Sequence, residues 1–209
     1  MSRFINQFKY HGKRTFALIF IILAIALETA NFILGIYEYV TTRTSSFSFI
    51  WNFIIMMICY VRLLQGNVEN NAKAGMGVLT FIVLSTITLV FDSVYSAIDI
   101  GMSADTTQLL IQIALFVVIA GEAALGIVTS VKLRRLLYGF GRTNLKQVKI
   151  LAGIFFALLI VGKGLYIGMW FALGAVSTSS LISIFLLLLS PLGEFFASIA
   201  SWITLSRIE

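Results

Sequence analysis

The sequence predicts an all-α polytopic membrane protein, a single transmembrane domain of six helices arranged as three hairpin repeats with both termini cytoplasmic. Three observations carry that expectation. Hydrophobic residues make up 59% of the chain and charged residues 11%, with a mean hydropathy of +1.00, which leaves too little polar surface for a soluble domain. A helix needs roughly 20 largely apolar residues to cross a hydrocarbon core of roughly 30 Å. Six such runs can be read, at 15–40, 47–65, 75–98, 107–131, 150–175 and 179–205, pairing into hairpins at 15–65, 75–131 and 150–205. The third observation is the placement of the basic residues. Arg3, Lys9, Lys13, Arg14, Arg62, Lys73, Lys132, Arg134, Arg135, Arg142, Lys146, Lys149 and Arg207 fall on one side of a six-helix chain, only Arg43 falls opposite, and Lys163 lies within a helix. The positive-inside rule makes that side cytoplasmic.

Each run has a reason to be a helix of this kind. Apolarity is continuous rather than alternating, which selects helices over barrel strands. The first run follows a basic segment but is too long for a signal peptide and lacks a small-residue cleavage pattern, so it reads as a retained anchor; within it "ALETANF" carries Glu28. The second ends at Arg62 and carries no carboxylate. In the third, "LVFDSVY" carries Asp92, and in the fourth "VIAGEAA" carries Glu122. The fifth contains "VGKGLYIG" with Lys163, and the sixth "SPLGEFF" with Pro191 and Glu194. Short links rich in Ser, Thr and Gly join the helices on the outer side, while "RLLQGNVENNAKAG" and "KLRRLLYGFGRTNLKQVK" form the longer inner links. "GFGRTN" lacks the strand and the Lys-Ser/Thr pair of a phosphate-binding loop.

The hairpins resemble one another internally. Aligning Glu122 with Glu194 also matches Thr106, Leu109, Leu115, Gly121, Ile127, Leu133 and Arg135 with Thr178, Leu181, Leu187, Gly193, Ile199, Leu205 and Arg207. With one gap, Asp92 falls on Lys163, and Glu28 takes the corresponding place in the first hairpin. Parallel repeats of this kind imply a pseudo-symmetry axis along the membrane normal.

The charged residues inside the runs are the candidate site. Counting 1.5 Å per residue from the nearest inner basic residue puts Glu28, Lys163 and Glu194 about 20 Å deep and Glu122 about 18 Å deep, with Asp92 higher at about 28 Å. An ionisable group in mid-membrane costs at least about 2.5 kcal/mol, so Glu28, Glu122, Glu194 and Lys163 are expected to face the bundle interior and meet, while Asp92 is expected to reach the outer boundary. Polar stripes accompany them at helical spacing: Asn31 near Glu28, Ser190 and Ser198 near Glu194. Pro191 removes a backbone donor one turn after Leu187 and frees that carbonyl.

Glu28, Glu122, Glu194, Lys163 and Asp92 are therefore expected to handle protons or cations in a small transporter or permeation subunit. The competing expectation is a non-catalytic scaffold, or a subunit of a larger membrane complex, whose buried ion pairs specify packing. A single Cys59 and a single His11 exclude a disulfide framework and a Cys/His metal site. No enzyme activity, cofactor or nucleic-acid binding is expected. The partners expected are the lipid bilayer, a membrane protein or a second copy of the chain, and a small ion or solute, in a plasma (inner) membrane.

Overall fold

The computed structural model describes residues 14–42, 48–69, 73–102, 106–139, 144–172 and 181–208. Arg3, Lys9, His11, Lys13, Arg43, Arg142 and Thr178 lie outside the described residues. Six helices account for 97% of what is described, so the chain is all-α. They are α1 (Thr15–Thr42), α2 (Ser48–Glu69), α3 (Lys73–Met102), α4 (Thr106–Tyr138), α5 (Leu145–Ala172) and α6 (Leu181–Ser206).

Five of them, all but α2, contain a stretch long and apolar enough to cross a membrane. At 22 residues α2 is also long enough, but Asn52, Arg62, Gln65 and Asn67 interrupt its apolar run. Its position in the bundle explains that tolerance. Met56, Cys59, Tyr60, Leu63 and Asn67 of α2 are fully or almost fully buried against neighbouring helices rather than exposed to lipid. Apolar side chains such as Phe16, Ile33, Val40, Trp51, Phe91, Leu110 and Val117 form the exposed exterior, the inverse of a soluble protein.

Each helix packs on its neighbour in the chain, and α1 closes the ring on α6 in the most extensive contact of all, while α3 also reaches across to α6. Aromatic stacking fastens the first helix on both sides: Phe20 lies 5.8 Å from Phe196 of α6, and Phe32 lies 4.1 Å from Phe53 of α2.

Local chemistry sets the helix ends. Asn144 caps α5, its Oδ1 accepting from Lys146 N at 2.9 Å. Gly139 follows α4 with φ of 70°, the left-handed conformation that ends a helix at little cost only for glycine. At one end of the bundle, Arg14 Nη1 donates to Val68 O at 2.6 Å and Lys149 Nζ donates to Ser206 O at 3.0 Å. The start of α1 thus meets the end of α2, and the start of α5 meets the end of α6. Both cations satisfy carbonyls that a helix C-terminus leaves without donors.

That same end is clamped by polar groups. Asn67 Nδ2 donates to Leu63 O at 2.9 Å and to Thr204 Oγ1 at 3.0 Å, Thr204 Oγ1 donates to Ala200 O at 2.7 Å, and Arg207 Nη1 lies 3.5 Å from Asn67 Oδ1.

Close backbone approach joins α2 to α3. A Cβ on Gly66 would stand 2.5 Å from Ala74 Cα and 2.6 Å from Lys73 O, and one on Gly77 would stand 2.8 Å from Arg62 O. The obstructing atoms are backbone, so neither can swing aside. Gly66→Ala is expected to destabilise the protein by about 3 kcal/mol, the upper range for overpacking. Thermal unfolding in detergent checks this, and a melting temperature equal to the wild type would disprove the close approach.

Candidate functional site

Three carboxylates from three different helices are buried in the membrane-spanning part of the bundle: Glu28 on α1, Glu122 on α4 and Glu194 on α6, at 0%, 3% and 4% exposure. Lys163 on α5 stands among them. Its Nζ lies 3.2 Å from Glu194 Oε1, so the two form a direct ion pair. Glu122 and Asp92 are within electrostatic reach of the same ammonium, and Glu28 is within reach of Glu194. All five charged candidates therefore belong to one electrostatic cluster, contributed by α1, α3, α4, α5 and α6.

The glycines of the two motifs have separate tasks. Gly162 places bare backbone against the Glu122 carboxylate. A Cβ there would collide with Glu122 Oε1 and stand 2.9 Å from its Cδ. Gly164, on the other side of Lys163, faces open space. The Gly-Glu pairs of α4 and α6 also differ. Gly121 has nothing within 4 Å of its missing side chain, whereas Gly193 is buried against α1, 3.5 Å from Ala24 O and 3.6 Å from Glu28 Oε2. Residues aligned by sequence thus occupy unlike surroundings.

Glu194 has charged neighbours on two sides. On one side it meets Lys163, with Glu122 and Asp92 near. On the other side α1, α2 and α6 enclose Glu28, with Asn31 and Ser190 beside its carboxylate. Neither Oε1 nor Oε2 of Glu28 closes a well-formed hydrogen bond, and both are buried. Tyr60 Oη, also buried and also without a partner, lies 3.6 Å from the same Gly193 Cβ position as Glu28 Oε2. Asn52 Nδ2 approaches Ser190 Oγ at 3.5 Å.

Most of the hydroxyl stripe does not reach this site. Ser198 donates to Glu194 O, the backbone carbonyl, at 2.8 Å, and Thr88 and Thr129 likewise bond to carbonyls four residues earlier. Ser198 is thus a helix-internal residue rather than a carboxylate ligand. Ser85 Oγ and Ser201 Oγ are buried without a hydrogen-bond partner.

Sequence reasoning missed Tyr60 and Asn52. The signal was present: Asn52, Tyr60 and Asn67 are spaced by eight and seven residues, two helical turns each, and so form a polar face on α2. In a helix without a charged mid-span residue, that face passed as packing.

Comparison with protein-family models, curated proteins and solved structures yields no match for the chain. Its class rests on its own features. It is a multi-pass helical membrane protein.

Proposed function

We propose that the protein is a small membrane transporter or permeation subunit in which Glu28, Glu122 and Glu194 exchange protons or bind a cation and Lys163 balances their charge. One observation carries this reading. Glu28, Glu122 and Glu194 are all buried, and among the described residues Lys163 makes its direct ion pair with Glu194 alone. Such a cluster holds more acid than it can neutralise internally, so protons or cations must complete it. Asp92 adds a fourth carboxylate within reach of Lys163.

The topology that goes with this reading has α2 as a sixth spanning helix and both termini cytoplasmic. The basic residues support it, since Arg14 and Lys149 secure one end of the bundle where Arg207 also lies. The three-hairpin repeat rests on the identities between 106–136 and 178–208. A plasma (inner) membrane would supply the gradient that drives such a protein.

Reconstituted vesicles test the function. Glu194→Gln and Glu122→Gln are expected to remain folded and to lose proton or cation flux, and full flux in both variants would refute the reading. A scaffold is the second reading, favoured by the direct Lys163–Glu194 pair, which needs no ion to satisfy it. A scaffold would purify from native membranes with a stoichiometric partner and show no flux.

A further inference from the structure

We propose that Glu28, Tyr60 and Ser190 hold a dehydrated monovalent cation of sodium size between α1, α2 and α6. This deepens the transport reading above and rests on it for its physiological meaning, but the site stands on its own geometry.

Three buried oxygens close no well-formed hydrogen bond at this place: both carboxylate oxygens of Glu28, which Asn31 and Ser190 only approach, and the hydroxyl of Tyr60. They come from two helices and converge on the backbone of a third, because Gly193 has no side chain to keep them apart; Glu28 Oε2 and Tyr60 Oη are each 3.6 Å from the point where its Cβ would lie. Burial without a partner costs each polar group about 1–3 kcal/mol, so a chain that builds three such groups together leaves them for something else to satisfy. Ser190, beside the carboxylate, accepts from Asn52 and keeps a lone pair to offer. Asn31, one helical turn from Glu28, turns its amide toward the carboxylate and helps to position it.

The donors define the ligand. All are hard oxygens, which select an alkali or alkaline-earth cation over a transition metal. One carboxylate balances one positive charge. A divalent ion would need a second, and the nearest one, Glu194, is engaged by Lys163. A proton on Glu28 would satisfy one oxygen and leave others unsatisfied, whereas a cation engages carboxylate, phenol and hydroxyl together. The Lys163–Glu194 pair then acts as the wall of the site, and its charge bears on Glu28 through Glu194.

The purified full-length protein in detergent tests this at constant pH and ionic strength. Sodium chloride is exchanged for choline chloride, and unfolding temperature and radioactive sodium retention are read. Sodium is expected to raise the unfolding temperature with increasing concentration, as any ligand that binds only the folded state does. Glu28→Gln is expected to abolish the response, and Tyr60→Phe to weaken sodium affinity about tenfold, the equivalent of one lost ligand. Ser190→Ala provides a third, conservative variant should either of the others fail to fold. Absence of sodium retention by the wild type would overturn the proposal, as would an unchanged sodium response in Glu28→Gln. Flux separates the two claims. Sodium bound without any flux removes the transport reading and keeps the site; proton flux without sodium binding does the reverse.

Discussion

Gly162→Ala is expected to abolish ion flux while leaving the helical bundle folded. The added methyl lands on the Glu122 carboxylate, colliding with Oε1 and standing 3.0 Å from Oε2. That obstacle is the far end of a flexible side chain rather than backbone, so the carboxylate swings away and the helices keep their packing. Alanine also favours the helix over glycine by about 1 kcal/mol, which offsets part of the local strain. The loss is in position. Glu122 would leave the reach of Lys163, and a functional group displaced by about 1 Å costs on the order of a hundredfold in rate where geometry matters. Gly164→Ala is the matched control, two residues away with nothing within 4 Å, and should retain wild-type flux. Comparing the two variants in vesicles, with circular dichroism and thermal unfolding as the check on fold, isolates the Glu122 carboxylate. Equal flux in both would show that Glu122 is not a working group.

The second large effect is on stability. Lys163→Met is expected to lower unfolding free energy by about 3 kcal/mol, because it leaves Glu194 buried without its partner. The side chain of Glu194 is 6% exposed and that of Lys163 26% exposed, so the penalty comes from the stranded acid rather than the lost base. The double variant Lys163→Met with Glu194→Gln should therefore recover most of the loss, since neither partner is then a stranded charge. Unfolding in mixed detergent measures all three proteins. A single variant as stable as the wild type would show that the pair contributes no net stability, and a double variant no better than the single would show that Glu194 is not the stranded group. Flux is expected to stay low in the double variant even as stability returns.

How far the site was legible can be judged from particular residues. Charge in an apolar run is a local property, so Glu28, Asp92, Glu122, Lys163 and Glu194 were identifiable as candidates from the cost of placing each in lipid. The common depth expected for all of them but Asp92 came from the constant rise of a helix. Asn31 and Ser190 were found because they share a helical face with a carboxylate. Ser198 shares that face too, yet it bonds to the carbonyl of its own helix, and spacing cannot distinguish the two outcomes. Tyr60 was passed over because an aromatic residue in a membrane helix is ordinary, and its hydroxyl matters only through a neighbour on another helix. The repeat marked Gly121 and Gly193 as equivalent, but one faces open space and the other carries the α1 contact. Equivalence in sequence says nothing about what each helix packs against.

The sequence by itself determined that the chain is a multi-pass helical membrane protein and which side chains carry charge into the membrane, because hydropathy and rise per residue belong to each segment alone. Only the tertiary structure decided that Lys163 pairs with Glu194, that Glu122 rests on Gly162, and that Glu28 and Tyr60 meet at the bare backbone of Gly193. Those outcomes depend on the rotation of each helix about its axis and on which helix stands beside it. Both are set by the summed packing of many apolar side chains across the bundle, and no single segment contains that information.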